Sequence, residues 1–178
     1  PDSERTMCTF LGIAGKIGVV DVKEELIKKS NLIFLEGYLW DEGEPKKAFE
    51  KAIKYSNKTA MSLSDLFCVQ RHKKNFLILV KEKLDITFAN ESEIMSLIDT
   101  KNFNEVVSFA KEVKKHIIIT RGEKGAISII GDKIIEIKAK KNLTIEDLTG
   151  AGDLFAAGYL HGFINNLSNE KCLEEGIE

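Results

Sequence analysis

The stretch best equipped for chemistry is Thr149-Gly150-Ala151-Gly152-Asp153, which leads into Leu154 to Ile164, a run with no Lys, Arg, Asp or Glu. In a chain that is 30% charged, such a run predicts a helix buried nearly all round. Two glycines at its start let the backbone bend tightly and admit a ligand close to the amides. Those amides, together with the helix dipole, form an anion site. Asp153 falls in the first turn, where it can stand beside a bound phosphate and take the proton of an attacking hydroxyl. Phosphoryl transfer needs little beyond positioning, a base and charge stabilisation. Read alone, the same residues are also a tight turn followed by an ordinary helix-start carboxylate. A dinucleotide fingerprint fits poorly, because the third glycine is displaced to Gly158 and the loop does not follow a first strand.

Two more polar segments follow apolar runs. Asn90-Glu91-Ser92-Glu93 comes directly after Ile86 to Ala89 and reads by itself as an N-cap with its capping-box partner. Thr120-Arg121-Gly122-Glu123-Lys124-Gly125 closes one apolar run ahead of another and reads by itself as a turn with two glycines.

In this order the three segments resemble the ribokinase, or PfkB, family of carbohydrate and nucleoside kinases. Ile145 to Phe155 with Gly158 is similar to the family signature Asp-Thr-x-Gly-Ala-Gly-Asp: Asp147, Gly150, Ala151, Gly152 and Asp153 match, and Leu148 replaces the usual Thr. The resemblance implies that Asp153 is the catalytic base and that the amides of Gly150, Ala151 and Gly152 form the anion hole. It makes Asp147 part of a monovalent-cation site, with K+ as an optional companion. Asn90 and Glu93 resemble the family's Asn-x-x-Glu motif, which organises Mg2+ through waters, and a metal that keeps its waters needs few protein ligands. Thr120, Gly122 and Gly125 resemble its nucleotide-binding Thr-x-Gly-x-x-Gly.

The activity so implied is transfer of the γ-phosphate of ATP, with Mg2+, to a hydroxymethyl group of a small molecule. Leu63-Ser64-Asp65-Leu66-Phe67 and Phe88-Ala89-Asn90-Glu91 resemble the adenosine-kinase branch and favour a nucleoside, adenosine first; a ribokinase- or fructokinase-like sugar kinase is the alternative. A nucleotide-binding module without catalysis is the second alternative, since fold alone does not give function. Family members are considerably longer. The resemblance therefore covers the nucleotide half of an enzyme, with most of the lid absent, Arg5 and Thr6 on the edge of that lid over about residues 1–12, and little activity expected of this span alone.

The elements that must position these residues alternate. Strand-length apolar runs at Leu32 to Leu35, Thr59 to Leu63, Ile86 to Ala89 and Ile117 to Thr120 are separated by helical stretches at Pro45 to Tyr55, Ser64 to Val80, Glu91 to Ile98 and Phe103 to Val113. This order predicts an α/β fold: a largely parallel sheet, helices on both faces, three layers, ribokinase-like. Ala126 to Ile130 and Lys133 to Ile137, separated by Gly131-Asp132, predict an antiparallel hairpin. Thr6 to Ile13 is a further strand candidate.

At 178 residues, with no repeat or low-complexity linker, one domain over 1–178 is expected. Against 28 acidic residues stand 26 basic ones, which leaves no electrostatic footprint for nucleic acid or an anionic membrane and points to a small-molecule partner. Oligomer formation stays open. Three scattered cysteines without a CxxC pair argue against disulfides and a cysteine-rich zinc site and suggest a cytoplasmic location. His72, His116 and His161 default to structural or solvent-facing roles, and Arg71 with His72 forms a polar cluster of no stated role.

Overall fold

The computed structural model describes residues 8, 10–40, 43–143 and 145–178. Six strands, β1 Ile33–Glu36, β2 Thr59–Ser62, β3 Ile86–Asn90, β4 His116–Thr120, β5 Ala126–Ile130 and β6 Lys133–Ile137, form one sheet in sequential order. β1 to β4 run parallel; β5 and β6 add in antiparallel fashion, Ile130 pairing with Lys133 across the two-residue turn. The helices are α1 Glu24–Lys29, α2 Glu44–Tyr55, α3 Leu66–Ile78, α4 Glu91–Leu97, α5 Phe103–Val113, α6 Ala151–Ile164 and α7 Asn169–Ile177.

Strand side chains alternate between two cores because successive residues point to opposite faces. Ile117 and Ile119 join Met61 under Phe49, Phe76, Ile94 and Val106, which come from α2 to α5. Ile118 turns the other way, with Ala60, Ile86 and Phe88, onto Phe155 and Tyr159 of α6 and Leu173 of α7. Both faces are thus covered, and a strand as uniformly apolar as Ile117–Ile119 is what a doubly covered sheet requires. The α/β/α arrangement is the one expected.

Particular elements differ from expectation. Residues 1–7 and 9, which hold Arg5, Thr6 and most of the expected lid edge, lie outside the described residues; residues 8 and 10–13 form no strand. Ser64 does not open a helix, since its φ of 74° is left-handed. Asp65 caps α3 instead, its carboxylate accepting from the Cys68 amide at 2.6 Å, and α3 widens into a π-turn over Leu79–Lys83. α1 was not expected, being six residues long and too short to show a period.

The largest departure is α6, which is not buried all round. Leu154 is 74% and Ile164 54% exposed, and with Ala157 and His161 they share one outward stripe. The small residues of α6 serve close helix contact instead. A Cβ on Gly158 would lie 2.3 Å from the Glu175 carbonyl oxygen of α7. Gly158→Ala must push the two helices apart and is expected to cost about 2 kcal/mol, the size of an overpacking defect, read as a lower urea midpoint.

Candidate active site

β3 and β4 end together, Asn90 opposite Thr120 in register. That juxtaposition sets the start of α4 and the loop after β4 side by side at the carboxyl edge of the sheet, where open parallel sheets place their ligands. The start of α6 faces them. Between lies a cleft of about 340 Å³ lined by Gly150, Gly152 and Asp153 together with Asn90, Glu93 and Thr120. Ala151, Asp147, Gly122 and Gly125 lie outside that lining.

Gly150 takes the N-cap of α6 at φ +78°, a left-handed conformation that costs a glycine nothing. Nothing lies within 4 Å of where a Cβ on Gly150 or Gly152 would stand, so the space before the helix N-terminus is open to a ligand. First-turn amides lack intrahelical partners and point into that space. The Ala151 amide is already committed, donating to the Leu148 carbonyl at 3.2 Å. Asp147 Oδ1 accepts from the Thr149 amide at 2.7 Å and shapes the approach to the loop.

Asn90 and Glu93 form a full capping box. The Asn90 amide and Nδ2 donate to the Glu93 carboxylate at 2.9 and 2.6 Å, and Asn90 Oδ1 accepts from the Glu93 amide at 2.8 Å. Glu93 is only 5% exposed. Burial pushes its carboxyl up to about 7, against the opposing backbone hydrogen bond from Asn90, and the carboxylates of Asp65 and Glu36 add to the rise.

The turn after β4 is closed on itself, the Arg121 amide donating to Gly125 O at 2.8 Å and the Gly125 amide to Gly122 O at 2.9 Å. At φ +95°, a Cβ on Gly125 would stand 1.9 Å from the Ile137 carbonyl oxygen. Gly122 and Gly125 therefore shape the loop, while Thr120 faces the cleft.

Sequence reasoning missed Glu36 and Tyr38, which also line the cleft. Glu36 sits at the end of β1 and accepts from Ser64 Oγ at 3.1 Å; burial raises its carboxyl, and the charge of Asp153 adds to the rise. Burial likewise raises the Tyr38 phenol, whose hydroxyl bonds Asp65. Gly37 between them permits close approach, since a Cβ there would meet Ser62 O and Ser64 Oγ at 3.0 Å. The available signal was position: the carboxyl end of the first apolar run.

Among the described residues, Glu36, Glu93 and Asp153 line the cleft and no Lys or Arg does. A bare polyphosphate would meet like charge there. The hard oxygen donors suit Mg2+, which keeps most of its waters and would bring the phosphates in neutralised, held through Asn90 and Glu93.

Other residues picked out from the sequence lie elsewhere. Phe67 is 73% exposed and away from the cleft, whereas Ser64 of the same segment lines it. His161 is exposed, 3.7 Å from Glu175. His72 marks a kink in α3 and packs near Phe76. His116 is buried at the opposite end of β4, its Nε2 bonded to Ser128 Oγ at 2.7 Å and to the Tyr159 hydroxyl at 3.0 Å. Among the described residues no helix is long and apolar enough to cross a membrane.

Known proteins share this fold. The structure of adenosine kinase from Sinorhizobium meliloti superposes with a TM-score of 0.87 at 34% identity, over 91% of this chain and 51% of that one. A nucleoside kinase from Methanocaldococcus jannaschii is 29% identical over 130 residues, 73% of this chain and 42% of the relative. A ribokinase from Arabidopsis thaliana is 29% identical over 99 residues, 52% of this chain and 26% of the relative. The chain thus spans about half the length, or less, of these relatives. Residues 1–177 match the pfkB family carbohydrate kinases, and on that match the chain belongs to the PfkB family.

Proposed function

We propose that this chain carries the phosphate-transfer centre of an ATP-dependent kinase acting on a hydroxymethyl group of a nucleoside, adenosine first. The observation that supports it most is Asp153 in the first turn of α6, beside the open ground before Gly150 and Gly152 and across one cleft from Asn90 and Glu93. In this reading the amides of Gly150 and Gly152 hold the transferred phosphate, the Ala151 amide being committed to Leu148, and Asp153 takes the acceptor's hydroxyl proton as the oxygen attacks. Asn90 and Glu93 would hold magnesium through its waters, and the metal would supply charge neutralisation at the phosphates. Thr120 contacts the nucleotide from the end of β4, and Glu36 with Ser64 offers hydrogen bonds to acceptor hydroxyls. A sugar acceptor is the second reading, favoured by those polar groups and by the likeness to a ribokinase.

The test is ATP-to-ADP turnover by the intact polypeptide carrying this chain, with adenosine, other nucleosides, ribose, fructose and phosphorylated hexoses offered in turn. Turnover with adenosine and other nucleosides is expected. Turnover with sugars alone would move the protein to the second reading, and no turnover with MgATP still bound would leave a binding module.

A further inference from the structure

We infer that Arg121 is a positioning residue, a joint that fixes the Asn90–Glu93 turn to the loop after β4 and so sets the spacing of the two segments that receive the magnesium nucleotide; this rests on the function proposed above. Ladder pairing between β3 and β4 ends at Asn90 and Thr120. The next residue of each chain, Glu91 and Arg121, leaves the sheet, and beyond that point side chains join the two segments. Arg121 Nε donates to Glu91 at 2.9 Å, and a terminal guanidinium nitrogen donates to Glu136 of β6 at 2.8 Å. The guanidinium lies 3.8 Å over the ring of Phe103, the first residue of α5. One side chain therefore ties four elements: α4, α5, β6 and its own loop.

Most surface ion pairs contribute little, because solvent screens them and long side chains lose entropy. Arg121 escapes both objections. Its side chain is 14% exposed and that of Glu91 26%, and the planar fork is held between an aromatic face and two carboxylates. Burial alone would raise the Glu91 carboxyl, yet hydrogen bonds from Arg121 and Lys124 outweigh it and hold it below its ordinary range. Lys124 adds a longer contact to Glu91 at 3.3 Å. Neither Arg121 nor Glu91 lines the cleft, so losing the pair alters where Asn90, Glu93 and Thr120 stand without removing a group from it.

In the intact polypeptide, Arg121→Leu is expected to raise KM for MgATP about tenfold and to raise the magnesium concentration needed for half-maximal rate, as loss of a charge-assisted, partly buried contact would. Acceptor KM, and kcat at saturating MgATP and magnesium, should stay within about a factor of two, since Glu36, Ser64 and Asp153, which face the acceptor, stand on segments that the Arg121 side chain does not tie. Arg121→Lys should recover only part of the loss, because an ammonium cannot bridge both carboxylates and stack. The Glu91→Leu, Arg121→Leu double variant should be no worse than the worse single variant. If Arg121→Leu does not fold, Arg121→Lys and Glu91→Gln read the same split. A wild type that turns over while these variants keep its KM for MgATP, or lose stability alone, overturns the joint and leaves the proposed function standing. A wild type that binds no MgATP overturns both.

Discussion

Asp153→Asn is expected to lower kcat of the intact polypeptide by about a thousandfold, within the range a positioned general base supplies, while nucleotide affinity stays within about a factor of two. The asymmetry follows from where Asp153 stands. Its side chain is exposed at the first turn of α6, so an isosteric amide changes packing little. The amides that would cradle the phosphate belong to the backbone and are untouched. Asn cannot accept the hydroxyl proton, and removing the charge also eases repulsion toward Glu36 and an incoming phosphate. Binding is thereby held or slightly improved while transfer is lost. Steady-state turnover and calorimetric titration with MgATP separate the two. Equal turnover by the variant would remove Asp153 from the mechanism; equal inactivity of variant and wild type, with binding intact, would make the chain a nucleotide-binding module.

Much of this site was legible because its parts are contiguous in the chain. Gly150 to Asp153, Asn90 to Glu93 and Thr120 to Gly125 are each short segments at a strand end or helix start, where type and spacing alone imply geometry. Glu36 and Tyr38 were not legible, because nothing within Leu35-Glu36-Gly37-Tyr38 marks them; they matter only once β1 is placed beside β2 and Ser64 bonds Glu36. The hairpin was plain from Gly131-Asp132 between two apolar runs, whereas which of Ile117, Ile118 and Ile119 faces which core was not, because a uniformly apolar strand carries no alternation to read. Burial of α6 was overread because an uncharged run reports what a helix lacks and says nothing of how many neighbours surround it. Gly158 and Gly162 are there for α7, which approaches one side only. Phe67 shows the complementary limit: a segment can resemble a substrate-contacting stretch while helix phase turns its aromatic residue outward.

Two buried groups give the fold opposing responses to acid, and single substitutions should expose each. Burial pushes the His116 imidazole down to about 4, with nearby Lys58 acting in the same direction. Between about pH 4 and 6.5 the unfolded chain therefore holds a proton the native state refuses, and stability falls as pH drops through that window. Glu93, raised to about 7 by burial, does the reverse. Between about pH 4.5 and 7 the native state keeps a proton the unfolded chain has released, so stability falls as pH rises. Each group contributes about 3 kcal/mol across its own window, and over the shared range the two slopes largely cancel. Glu93→Gln should leave the His116 slope uncovered, so that the urea midpoint climbs from pH 4.5 to 6.5. His116→Gln should leave the Glu93 slope, and its midpoint should decline over the same range. Both variants lose hydrogen bonds and start from lower stability, which is why the slope, and not the midpoint at one pH, carries the test. The double variant should again be nearly flat. Single variants that both track the wild-type profile would show that neither ionisation is linked to folding.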